Sequence, residues 1–394
     1  MIVTYELDFE WLHIAYDERS SFTETYGFVG SQGQVNLEGV LIRPRGVPSR
    51  VLHIYMHPAS TLQLLPVPRQ SVRMGAHVLC AGSRYARNDT AAILEKVLLD
   101  FGAYIRHAKE ELGYEKIVLV GWSGGGSLSL FYQAEAERPS IVATPAGDPV
   151  DIVGAELIPA DAVVFQAAHI SRATLLQDSL DPSVRDELNP DDRDPALDIY
   201  DPVNSARPPY TTDFLERFRA AQAERMRRIT GWVKAELARL QSSDTGELER
   251  GFVTHRTLAD PRWLDPDVEP NGRTPGQSYL GKPVVVNNGP VGLARFSTLR
   301  SWLSQWSVED SRADGVANAM RISVPFLAIE NGADDAVPQL HVPRVFAAAA
   351  SEDKTFHRVE GANHYYAGQY EQLAETTSLV QRWLADRDLS GRAA

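Results

Sequence analysis

Lys116-Ile117-Val118-Leu119-Val120-Gly121-Trp122-Ser123-Gly124-Gly125-Gly126 is the stretch on which the reading of the fold turns. Ile117–Val120 is an apolar run, as a strand covered on both faces of a parallel sheet must be. A glycine-rich turn follows at once, and Leu128, Leu130, Phe131 and Ala134 then fit a helix. Strand, sharp turn and helix around Gly-x-Ser-x-Gly is the setting in which that motif carries a nucleophile. The serine must stand at a strained turn so that its hydroxyl projects from the top of the sheet. Gly121 and Gly125 remove side chains that would strike the neighbouring strand and helix. The N–H of Gly124 then faces a developing oxyanion, and the helix N-terminus adds a favourable partial charge. A phosphate loop is the competing reading; no Gly-Lys-Ser/Thr follows, which argues against it.

Short apolar runs recur on both sides of this stretch. Val51–Met56, Ala76–Ala81, Ala162–Ala168, Pro325–Ile329 and Lys354–Val359 read as further strands. Residues 22–42 alternate loosely around Gly27, Gly30 and Gly33 and read as antiparallel strands opening the sheet. A helix runs from a Thr90 cap to Gly113, with Ile93, Val97, Phe101, Ile105, Ala108 and Leu112 at helical spacing. Another follows His364, with Leu373, Leu379, Val380, Trp383 and Leu384 on one stripe. Strands alternating with helices predict an α/β fold with a parallel sheet.

One gap breaks the rhythm. About 150 residues separate the strand near His169 from the strand near Val324, where a crossover needs roughly 10–12 or a few more. The insert contains a long amphipathic helix over 212–241, a Pro- and Gly-rich tract over 260–290, and Leu299, Trp302, Leu303 and Trp306 at i, i+3, i+4 and i+7. Residues 170–320 are therefore expected to form a mainly helical cap beside the site, between the sixth and seventh strands. Residues 1–169 and 321–394 are expected to form the core.

With these features in view, the chain resembles the α/β-hydrolase-fold serine hydrolases, in their esterase-like branch, over residues 22–169 and 322–386. The resemblance implies an eight-stranded, mostly parallel sheet flanked by helices, and a Ser–acid–His triad in that chain order. The family pattern of Gly, one or two residues, Asp and then Val-Pro matches Gly332-Ala333-Asp334-Asp335-Ala336-Val337-Pro338. It admits Asp334 or Asp335, and Asp334 is the closer match; as plain structure, either would suit a helix N-cap. The family's Gly-x-x-His after the last strand maps onto Gly361 and His364. The second oxyanion donor would come from the loop after the third strand. Many relatives have His-Gly there. This chain has His57-Pro58, and proline has no N–H. Ala59 is then the expected donor, with Ser60 as the fallback. The serine at position 123 argues against epoxide hydrolases and haloalkane dehalogenases, which use an aspartate there.

The remaining candidates are weaker. His57, Trp122 and Arg84 lie where they could line a substrate pocket, and Arg84 could hold a carboxylate, although an ion-paired arginine is the commoner outcome. His53, His57, His77 and His169 show no metal-ligand spacing, so no metal is expected and no cofactor. Cys80 is the one cysteine of 394 residues and reads as a core residue, which excludes an intramolecular disulfide. The net charge of −13 argues against nucleic acid and anionic membranes as partners. No apolar run approaches the roughly 18 residues of a membrane span. The first ten residues lack a basic or apolar signal region, so a cytoplasmic protein is expected.

The expected chemistry is cleavage of a carboxylic ester through an acyl-enzyme. The expected partner is a small-molecule substrate, apolar or aromatic, in keeping with Trp232, Trp263, Trp302 and Trp306 in the cap. A homodimer stays open. An amidase or peptidase, a lactonase, a carbon–carbon bond hydrolase or an acyltransferase would use the same triad. A ligand-binding protein on a hydrolase scaffold, or an interaction subunit docking through its cap, are the readings of another class.

Overall fold

A computed structural model describes residues 5–18, 33–204 and 206–391. Eight strands make one sheet: β1 (Leu7–Asp17), β2 (Gln34–Pro44), β3 (Val51–His57), β4 (His77–Gly82), β5 (Lys116–Trp122), β6 (Ala162–Gln166), β7 (Phe326–Asn331) and β8 (Lys354–Val359). Their order across the sheet is β1-β2-β4-β3-β5-β6-β7-β8. β2 runs antiparallel to both its neighbours, and the rest of the sheet is parallel. The fold class read from the sequence is the one observed. β1 is an addition. Of the strands expected over 22–42, β2 begins at Gln34, and 22–32 lie outside the described residues.

The core follows from strand alternation. Ile117 and Leu119 of β5 face one side of the sheet and Val118 and Val120 the other, all fully buried. On the first side they meet Phe101 and Tyr104 of helix α2 (Leu94–Glu110) and Leu128 and Phe131 of helix α3 (Gly124–Glu137). On the second, α1 (Pro66–Arg73) contributes Val67 and Val72, and the C-terminal helix over 370–385 contributes Val380, Trp383 and Leu384. Burying each such side chain stabilises the fold by roughly 1.5–3 kcal/mol, which is why these strands tolerate no polar face. α2 starts three residues later than expected. Thr90 is not its cap; the Thr90 carbonyl instead accepts from the N–H of Thr298, in the insert.

Between β6 and β7 the chain leaves the sheet. Helix α4 (Arg172–Ser179) is capped by Ser171, whose hydroxyl accepts from the Thr174 N–H. Helix α5 (Thr212–Gln241) has the predicted bounds and is capped by Thr211. Its buried stripe of Met226, Ile229, Val233, Leu237 and Leu240 packs on Leu299, Trp302, Leu303 and Trp306, which form one helical turn running into a short π-helix. By Ala313 and Ala319 the chain is back in the main core. Among the described residues, no helix is long and apolar enough to cross a membrane.

Candidate active site

Ser123 joins β5 to α3 with φ 54° and ψ −125°. A non-glycine residue held in such a region stores about 1–3 kcal/mol of strain, which the surroundings must over-determine. They do. A side chain on Gly121 would sit 2.5 Å from the Gly126 Cα, and one on Gly125 would drive into the Met56 carbonyl oxygen of β3. Gly126 is a third requirement, which the five-residue motif does not contain: its missing side chain leaves room for Phe165 and Ala168. The Ser123 N–H donates to the Ala167 carbonyl at 3.1 Å and fixes the turn against β6.

The hydroxyl so presented meets His364. Its Oγ lies 3.2 Å from His364 Nε2, and His364 Nδ1 lies 3.1 Å from Asp334 Oδ2. Asp334 and His364 are buried, whereas Ser123 is partly open. The other carboxylate oxygen of Asp334 accepts from the N–H groups of Ala336 and Val337, both at 2.8 Å. The turn-capping role and the histidine-facing role thus fall on two oxygens of one carboxylate. Asp335 points elsewhere, and its Oδ1 accepts the backbone N–H of His364 at 3.2 Å. Burial, together with the charge of Asp334, raises its carboxyl above the usual range. Gly361 takes φ 70°, so the Gly-x-x-His turn needs its glycine.

The other expected site residues fare differently. Trp122 lies behind His364, with ring centroids 4.5 Å apart, and its indole N–H donates to the His364 carbonyl at 3.3 Å. It packs against the histidine ring and holds the histidine backbone. Arg84 takes the ion-paired outcome. Its buried guanidinium is ion-paired with Asp100 at 2.8 Å and Glu18 at 2.7 Å, and only 4% of the side chain is exposed. Ala59 does not offer its N–H to open space either: it donates to His57 Nδ1 at 3.2 Å, and Ser60 donates to the same nitrogen at 3.1 Å. The Gly124 N–H, in the first position of α3, has no intrahelical acceptor. Cys80 is buried and burial pushes its thiol up, so it is no nucleophile.

Sequence reasoning missed what the tract over 260–290 does. It lies directly on the acid loop. Asn271 Nδ2 donates to the Asp334 carbonyl at 3.0 Å, and the Trp263 indole and the Tyr279 N–H both donate to the Asp335 carbonyl. The Tyr279 ring meets His364 edge-on at 6.1 Å. These contacts come from loop residues without periodicity, and no pattern in the sequence announces them.

No family model and no curated protein matches the chain. Solved structures do. The structure of DcsB in complex with its substrate analogue aligns at a TM-score of 0.50 and 13% identity, covering 96% of this chain and 99% of that one. The chain has the α/β-hydrolase fold. Monoacylglycerol lipase of Paleococcus ferrophilus aligns at 0.44 and 17% identity over 89% and 98% of the two chains. An alpha/beta hydrolase superfamily protein from Enterococcus faecalis aligns at 0.42 and 12% over 89% and 96%. In this α/β-hydrolase sheet the chain leaving β5 carries Ser123, that leaving β7 carries Asp334, and that leaving β8 carries His364. All three strands are parallel, so the three side chains converge at the C-terminal end of the sheet.

Proposed function

We propose that the protein is a serine hydrolase that cleaves a carboxylic ester through an acyl-enzyme. One observation carries the reading: the unbroken line from Ser123 Oγ to His364 Nε2, and from His364 Nδ1 to the Asp334 carboxylate, at 3.2 and 3.1 Å. A serine hydroxyl is a weak nucleophile at neutral pH. It needs a base within hydrogen-bond reach, and that base needs an orienting carboxylate. In this reading Ser123 attacks the ester carbonyl as its proton passes to His364. His364 returns that proton to the departing alcohol, then draws one from the water that releases the acid. Asp334 holds the imidazole tautomer and balances the imidazolium. The Gly124 N–H donates to the oxyanion.

An ester is favoured over an amide because an alkoxide or phenolate leaves more readily than an amide nitrogen. Residues 170–320 act as a cap inserted between β6 and β7, and the contact of Tyr279 with His364 supports their walling the site. An apolar or aromatic group on the substrate suits that wall.

Labelling with a fluorophosphonate tests the reading. The adduct is expected on Ser123, and Ser123→Ala should take none. That variant should also lose on the order of 10⁴-fold or more in kcat on aryl esters. Full esterase activity in Ser123→Ala overturns the proposal. A panel of esters, anilides and lactones separates the ester reading from its neighbours.

A further inference from the structure

The backbone N–H groups expected to serve the oxyanion from the loop after β3 are otherwise engaged. Pro58 has none. Those of Ala59 and Ser60 both point at His57 Nδ1, at 3.2 and 3.1 Å. Two donors aimed at one ring nitrogen require a lone pair there, so the proton of a neutral imidazole resides on Nε2. That Nε2 stands against the residue that follows the nucleophile: a side chain on Gly124 would lie 2.8 Å from it. Glycine at 124 is therefore explained by the imidazole that occupies the space. Among the described residues, no protein group accepts from His57 Nε2.

We propose that His57 is a catalytic residue, whose Nε2–H is the second oxyanion donor beside the Gly124 N–H. This rests on the serine-hydrolase reading of Ser123. In the attack, Ser123 Oγ bonds to the carbonyl carbon and its proton moves to His364. The carbonyl π pair moves onto oxygen, where the two N–H groups hold it. When that pair returns, the bond to the leaving alkoxide breaks, and the alkoxide takes the proton from His364. His57 donates a hydrogen bond throughout and neither gains nor loses a proton. It is suited to this. Burial, and next the nearby charge of Arg172, hold its pKa well below the ordinary value, so the ring stays neutral and keeps Nδ1 as an acceptor. Donors fixed before the charge develops need no reorganisation when it appears. Burying Nδ1 against the Ala59–Ser60 turn fixes the ring in this way.

Two substitutions separate this role from simple support of the turn. His57→Asn would keep an oxygen near the place of Nδ1, to accept from Ala59 and Ser60, while removing the distant donor. His57→Gln would keep an N–H near the place of Nε2 while losing the Nδ1 acceptor. The expected result for His57→Asn is a loss of about 10²–10³ in kcat on 4-nitrophenyl butyrate, the usual cost of one oxyanion donor. KM should hardly move. The rate of fluorophosphonate labelling at Ser123 should fall in parallel, and a trifluoromethyl ketone, which mimics the tetrahedral adduct, should bind more weakly by a similar factor. His57→Gln should retain at least about tenfold more activity than His57→Asn, since it keeps the donor. Equal activities, or a greater loss in His57→Gln, assign His57 to turn support and overturn the proposal. So does a His57→Asn enzyme whose ketone affinity is unchanged. Wild-type protein that takes no adduct on Ser123 fails at the earlier step, the serine-hydrolase reading itself.

Discussion

Asp334 and Asp335 are adjacent in sequence, but their carboxylates serve different partners. Asp334 holds the His364 ring through Oδ2 and its own turn through Oδ1. Among the described residues, the Asp335 side chain holds the backbone N–H of His364 and not its ring. An amide can still accept that N–H, but it cannot balance an imidazolium, and it can present the wrong group to Nδ1. Asp334→Asn should therefore lose about 10³–10⁴ in kcat, as when a triad acid is neutralised. Asp335→Asn should stay within about tenfold of wild type, because the charge that balances the imidazolium is elsewhere. Its carboxyl is already raised by burial and by the charge of Asp334, so removing the charge relieves repulsion. Steady-state kinetics of the two variants, with thermal midpoints as a folding control, checks the assignment. A larger loss at Asp335 would reverse it.

At the scale of elements, glycines in two helices have opposite demands. Gly125 sits where α3 crosses β3, and a methyl group there has the Met56 carbonyl in its path. Gly125→Ala must part the strand from the helix, and it should cost about 2 kcal/mol or more and abolish turnover. Gly231 lies on the exposed side of α5 with nothing within 4 Å of an added side chain. Gly231→Ala should raise stability by about 0.5–1 kcal/mol, the difference in helix propensity. Denaturant midpoints measure both, and a stable, active Gly125→Ala would show that the turn is not as tight as described. The same contrast explains what could be read in advance. β5 and β7 announced themselves because burial on both faces leaves largely apolar runs; β8, an edge strand with only Val359 buried, is marked instead by the Gly361-x-x-His364 turn that follows it. α5 did so because thirty residues carry its period. β1 is an edge strand with Phe9 and Trp11 largely exposed and only Leu12 of its residues buried, so it shows neither signature. Ser123, Asp334 and His364 were legible from their places after strands. Tyr279, and the capture of the Ala59 N–H by His57, depend on loop paths that no local pattern encodes.

Across the whole molecule, the histidines tie stability to pH. Six of them are held below the ordinary pKa, with burial the leading cause: His53 to about 4, His169 to about 3, and His57, His77, His255 and His341 also downward. An unfolded histidine takes its proton near pH 6.5, roughly its free value. The folded protein accepts it only below that, so between the two values the unfolded state binds more protons and stability falls as pH falls. Raised carboxyls work in the other direction. Burial pushes Asp178 up to about 6, and Glu95, Asp198, Glu249, Glu330 and Asp335 also upward. Their contributions improve as pH drops through the folded values toward the unfolded carboxylate value. The slope of the whole protein is therefore a difference between two sets of groups, and a single substitution must isolate one of them. His53 does so, because it is buried on β3 away from Ser123, Asp334 and His364. The amide introduced by His53→Gln cannot titrate. His53→Gln should flatten the acid-side loss of stability by about 1.4 kcal/mol per pH unit between roughly pH 6.5 and 4, whatever it does to stability near neutral pH. Urea unfolding of both proteins across that range reads the two slopes directly. Parallel slopes would mean that His53 takes up its proton in the folded protein as readily as in the unfolded chain.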